Sequence, residues 1–171
     1  INQQQYKLIS SDDVYAYYPS WTLDNSKVLF TQKHEGQWQL FQVAAEGNQQ
    51  LTQQLTQQAV KYAQEVNQDD IWFSQEQQSG MYRLSSSTGK VNMHWPQFPK
   101  NQYWRYNNNA IYFVSASPVN GLYKTALDNY HPELVAPLEK GVGGQFSVAQ
   151  NGRIFVFEDR RRLQSDLKIS P

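Results

Sequence analysis

Residues 18–52, YPSWTLDNSKVLFTQKHEGQWQLFQVAAEGNQQLT, alternate short apolar runs with polar turns. An opening run at Pro19-Ser20-Trp21 leads to a turn at Asp24-Asn25-Ser26-Lys27 and a strand from Val28 to Thr31. A second turn near His34-Glu35-Gly36 precedes a strand from Trp38 to Val43, and a third at Glu46-Gly47-Asn48 precedes a polar closing strand at Gln50-Leu51-Thr52. Asx and Gly residues at the turns supply positive φ at little steric cost. One four-stranded meander cannot bury both of its faces, so this unit requires copies of itself alongside.

The copies are present. The triplets Val28-Leu29-Phe30, Ile71-Trp72-Phe73, Ile111-Tyr112-Phe113 and Ile154-Phe155-Val156 are separated by 43, 40 and 43 residues. That is the period of four-stranded propeller blades. Each triplet follows a polar turn and precedes a second short strand, at Trp38–Phe41, Met81–Leu84, Leu122–Lys124 and Asp166–Ile169. The expectation is an all-β chain, a β-propeller or partial propeller of about four four-stranded blades in a single domain over residues 1–171, with units at about 14–53, 57–93, 95–136 and 144–170. The second unit opens at Val60-Lys61-Tyr62-Ala63 and the third at Gln102–Tyr106. Between them Met93–Pro99 reads as an edge or loop, because its two prolines cannot donate to a ladder.

The ends complement each other. Gln4–Ser10 resembles a blade's closing strand with no blade before it, and the last unit lacks its own fourth strand. Two compatible readings follow: the strand at residues 1–10 completes the last blade, removing open strand edges, and both ends are cuts in a longer array. Four blades either close on themselves or pair as a two-fold homodimer of eight.

Composition narrows the function classes. A chain of 171 residues buries roughly 70% of its unfolded surface, enough for a core without staples. Fifteen basic residues balance fifteen acidic ones, which removes the electrostatic footprint of a nucleic-acid-binding domain. The absence of cysteine excludes thiol catalysis and thiolate metal sites. No apolar run approaches the roughly 18 residues of a membrane helix.

Residues 18–52 resemble the TolB-type, WD40-like propeller repeat through Pro19, Trp21, Asp24, Phe30, Gly36, Trp38, Leu40, Gly47, Leu51 and Thr52, and depart from it at Leu23, Asn25 and Ala44-Ala45. A second resemblance covers about the last 70 residues. Tyr103-Trp104-Arg105-Tyr106 before Ala110–Phe113, and Arg153–Phe157 before Gln164-Ser165-Asp166-Leu167, are similar to the final blades of the C-terminal propeller in ToxR/CadC-like transmembrane transcriptional regulators. That resemblance implies a periplasmic sensor domain joined, through an upstream membrane segment absent from this sequence, to a DNA-binding winged helix.

No catalytic constellation stands out. Gln78-Ser79-Gly80 lacks the first glycine and the helix of a nucleophile elbow. His34, His94 and His131 fall in predicted loops without metal-ligand spacing, and the pairs Asp12-Asp13, Asp69-Asp70 and Glu158-Asp159 sit on neighbouring positions whose side chains point to opposite faces of a strand. No metal site or cofactor is expected. Two clusters remain as candidates for binding a partner or ligand. One is aromatic and cationic, with Trp95, Tyr103, Trp104 and Arg105; the other is the last hairpin's Arg160 and Arg161. For each, the competing reading is plain: inter-blade packing for the rings, and a solvated turn for the arginines.

These readings converge on a non-catalytic periplasmic sensor or interaction domain of a ToxR/CadC-like regulator, binding a protein or small-molecule signal without touching nucleic acid itself. The alternative is a TolB-like periplasmic protein-interaction adaptor. The propeller of a peptidase or glycosidase stands third.

Overall fold

The computed structural model describes residues 15–46, 52–140, 142–149, 152, 155–159 and 166–170. The described residues form strands and turns with no helix, arranged in four antiparallel sheets. The expected strand at residues 1–10 lies outside them. The chain divides into two compact units, residues 1–101 and 102–171.

In the first unit, β1 (Ala16–Trp21), β2 (Lys27–His34), β3 (Gln37–Ala44) and β4 (Gln53–Gln54) pair in sequence order, and β5 (Tyr62–Asn67), β6 (Asp70–Ser74), β7 (Met81–Ser85) and β8 (Val91–Trp95) repeat that order. The apolar run of β2 is buried on both faces. Val28 and Phe30 lie opposite Val43 and Phe41 and form one buried cluster. Leu29 and Leu40 turn to the other face, where they pack with Val60, Ala63, Ile71, Phe73, Tyr82 and Leu84. This second cluster is the core shared by the two blades of the unit. Ser20 bridges them as well, its hydroxyl donating to the carbonyl of Ala63 at 2.9 Å.

Tight turns set the register. Glu35 (φ 48°) and Gly36 (φ 83°) form the two-residue connection between His34 and Gln37, the primed geometry that suits twisted hairpins. In the second blade the β5–β6 reversal at Gln68-Asp69 is held by Asn67, whose Oδ1 accepts from the N–H groups of Asp69 and Asp70, each at 3.0 Å.

Several boundaries differ from the sequence reading. The first blade's closing strand is β4, two residues long and paired with Gln42 and Phe41, so it starts after Thr52; residues 47–51 lie outside the described set. The second blade does not open at Val60-Lys61. Val60 donates to Trp38 O at 2.7 Å and Lys61 to Ser74 O at 2.8 Å, so these residues hook one blade to the next, and the ladder begins at Tyr62. Apolar character at Val60 marks a core plug rather than a strand. Met93–Trp95 belongs to the outer edge strand β8, and the turn containing Pro96 and Pro99 follows it.

In the second unit, β9 (Trp104–Asn107), β10 (Ala110–Ser115), β11 (Gly121–Ala126) and β12 (Glu133–Pro137) form the third sheet. The fourth contains β13 (Val142–Val148), β14 (Phe155–Asp159) and β15 (Asp166–Ser170). Asn108 (φ 47°) and Asn109 (φ 60°) make the β9–β10 turn. Asn107 Nδ2 donates to Ala149 O at 2.9 Å, and Tyr112 meets Phe155 with ring centroids 5.5 Å apart. First strands therefore lie beside first strands, β1 next to β5 and β9 next to β13, as blades of a propeller do. Of the histidines, His34 ends β2, His94 lies in β8, and only His131 is in a loop.

Candidate functional site

An antiparallel meander delivers alternate turns to opposite ends of a blade. In the first unit this leaves a groove between blades at each end. One groove, of about 900 Å³, is bordered by the β1–β2, β5–β6 and β7–β8 turns, including Asp24, Glu65, Gln68 and Ser86. It is a polar rim built from self-satisfied turns. Asp24 accepts the Ser26 N–H at 2.9 Å, the Ser26 hydroxyl at 2.7 Å and the Thr22 hydroxyl at 2.7 Å. Led by the bond from the Ser26 amide, these donors lower its carboxyl from 3.8 to about 2. A depressed carboxylate holds the turn above its unfolded pKa and releases it as pH falls from about 4 through about 2. Carbon-detected NMR should find the Asp24 carboxyl titrating near 2; a midpoint close to 3.8 would mean that the turn is open in solution.

The opposite groove, of about 510 Å³, lies between the β2–β3 turn, the residues that hook blade one to blade two, and the β6–β7 loop. Three rings line it: Tyr17, Tyr18 and Trp38. A bulge between Tyr17 and Ser20, with Tyr18 at φ 54°, brings neighbouring tyrosines to the same groove. Tyr17 meets Trp38 edge-on at 5.1 Å and Tyr18 meets Tyr62 at 4.5 Å. Across from them, Lys61 Nζ and Glu76 Oε1 form an ion pair at 2.8 Å. Gln75 is 6% exposed and lines the groove.

Tyr15, Tyr17, Trp21 and Leu23 are 79%, 44%, 58% and 53% exposed. The bulge between Tyr17 and Ser20 adds one residue to the strand, so Tyr17 and Trp21 lie on opposite faces of the sheet. Trp21 and Leu23 are two large apolar side chains exposed within three residues at the end of β1.

The residues singled out in the sequence are placed differently. Trp95 is 4% exposed and packs edge-on against Trp72 at 4.9 Å in the first unit. Tyr103 and Trp104, in the second, are 6% and 2% exposed. Arg105 is half-buried, lies 4.7 Å from the Tyr103 ring and donates through Nε to Phe146 O at 3.4 Å. Burial pushes the Tyr103 phenol above its ordinary value, and the Arg105 charge opposes that rise. The rings of Trp95, Tyr103 and Trp104 thus lie in packing, and Arg105 is the member of that set that reaches solvent. Arg160 and Arg161 lie outside the described residues. Among the described residues, no group of three His, Cys, Asp or Glu side chains converges on a metal-sized point. Sequence reasoning missed the Tyr17/Trp38 groove; its signals are the doubled tyrosine before Pro19 and the Gln75-Glu76-Gln77-Gln78 loop.

No protein-family profile and no curated protein sequence matches the chain. Solved structures do. TolB from Acinetobacter baumannii is similar over 88% of this chain and 39% of its own, with TM-score 0.67 at 16% identity. A TolB-designated protein from Agrobacterium tumefaciens is similar over 90% of this chain and 60% of its own, with TM-score 0.68 at 14% identity. A puromycin hydrolase matches 93% of this chain and 27% of its own, with TM-score 0.63 at 13% identity. The chain spans less than two thirds of each of these proteins. At such identities the likeness concerns the fold, and the fold is that of a TolB-like partial β-propeller.

Proposed function

We propose that this chain is a non-catalytic, TolB-like interaction module that works in the periplasm by contact with another protein. The observation that carries this reading is the exposed pair Trp21 and Leu23 at the end of β1. Aromatic residues of this kind are enriched at protein interfaces and supply much of their binding energy. The likeness to TolB structures supports the same reading at the level of fold. A propeller serving a peptidase would pair with a hydrolase domain. A sensor serving a ToxR/CadC-like regulator would be preceded by a winged helix and one membrane span.

A photoreactive amino acid at position 21 or 23 of the natural polypeptide tests the interaction in cells. Illumination should yield a covalent adduct with a second polypeptide in the periplasmic or envelope fraction. Adducts confined to the cytoplasm, or none at either position while the protein is folded, would overturn the proposal. Fractionation of the same cells separates the adaptor, a soluble periplasmic product, from the regulator, a larger membrane-bound one.

A further inference from the structure

Asn120 and Gly121 stand at the entry of β11, and each is fixed there by a different requirement. A Cβ at Gly121 would lie 2.5 Å from Leu134 Cδ1 and 2.7 Å from the Ala136 carbonyl oxygen, so the close approach of β12 calls for glycine at that position. Asn120 ties the chain beyond β12 back to β11. Its Nδ2 donates to Leu138 O at 2.7 Å and to Glu139 O at 3.2 Å, and its main-chain carbonyl accepts the Leu138 N–H at 2.8 Å. A primary amide places two N–H donors on one uncharged nitrogen, which is what two converging carbonyls require.

The pair that this packing demands is also chemically reactive. Glycine has no Cβ to hinder its own nitrogen, so the amide of a preceding asparagine is open to attack. The Gly121 nitrogen, giving up its proton, bonds to Asn120 Cγ and closes a succinimide ring; the Cγ–Nδ2 bond breaks, and Nδ2 takes the proton and leaves as ammonia. Water then opens the imide at Cγ, which gives aspartate, or at the main-chain carbonyl carbon of residue 120, which gives isoaspartate. In the folded chain Nδ2 is engaged by two carbonyls, and Gly121 is paired with Ser115 on one side and Pro137 on the other. Ring closure therefore requires this end of the sheet to open. We propose that Asn120 is a deamidation site that reacts when the β11–β12 end of the third blade opens, and that the reaction keeps that end from closing again. A carboxylate at position 120 has no N–H to give and faces Leu138 O and Glu139 O, acceptor against acceptor. Isoaspartate adds a main-chain methylene group and disturbs the register of β11 with both of its neighbours. The modification is a cumulative record of strand opening, and it operates independently of the protein contact assigned to Trp21 and Leu23.

The test incubates the natural polypeptide in buffer and in unfolding urea, and follows residue 120 by peptide mapping with mass spectrometry. Isoaspartate is scored separately, by methyl transfer from an isoaspartyl methyltransferase used as a reagent. Deamidation at Asn120 should be at least about tenfold slower in buffer than in urea, the factor set by an opening free energy of about 1.4 kcal/mol. Asn120→Asp should exchange the backbone amides of β11 and β12 with deuterium faster than the parent. If that variant does not fold, the deamidated fraction that accumulates on prolonged storage in buffer, separated by its added negative charge on ion exchange, carries the same readout. Equal rates in buffer and urea would show that the Asn120 bridge gives no protection. An Asn120 that stays intact in urea, or unchanged amide exchange once the carboxylate is in place, would overturn the proposal as well.

Discussion

Phe73→Ala should cost the first unit about 3–5 kcal/mol, the range for truncating a fully buried aromatic residue. Phe73 has no exposed surface and stacks on Tyr82 with centroids 5.2 Å apart. It belongs to the cluster in which Leu29 and Leu40 from one blade meet Ile71 and Leu84 from the next. The cavity would therefore open at the joint between blades, where neither sheet can collapse into it without shifting its ladder. Phe73→Leu, nearer in volume, should cost under about 1.5 kcal/mol. Urea denaturation of both variants reads the difference. A penalty below 1 kcal/mol for the alanine variant would show that the two sheets do not share this core in solution.

In the second unit the largest effect is expected at Trp104. The residue is 2% exposed and lies opposite Phe113 in the β9–β10 register, so its indole occupies the same sheet face as that ring. Trp104→Ala should destabilise by about 3–5 kcal/mol. Arg105→Ala, next in sequence but half-buried on the opposite face, removes a cation–π contact worth about 0.5–1 kcal/mol and one hydrogen bond. The expected order is a large loss of melting temperature for the first and a small one for the second. If Trp104→Ala melts like the parent while partner binding disappears, the indole recognises a ligand and does not hold the blade together.

This pair of residues shows what a linear sequence makes legible. Period and alternation are local, so the triplets at Val28, Ile71 and Ile111 located the second strand of three blades, and the turns at Glu35-Gly36 and Asn67–Asp70 followed from residue chemistry. Side-chain exposure is not local. Trp104 and Trp21 are both tryptophans near the start of a blade, yet one is 2% and the other 58% exposed, a difference set by what packs across from each. Val60 misled for the same reason: its apolarity serves a core contributed by the neighbouring blade. The groove at Tyr17, Trp38 and Gln75 combines three segments that converge only when two blades stand side by side, and no spacing along the chain announces that convergence.

Strand β4, with only two residues paired to β3, has a consequence for how this chain meets others. A sheet's outermost strand is a template, and its length sets how many backbone bonds a stray chain gains by adding to it. Two paired residues offer too few bonds to offset the ordering of an incoming segment. The first blade is thereby protected against strand addition at its β4 edge. A protein that meets the blade at that edge is left to do so through side chains.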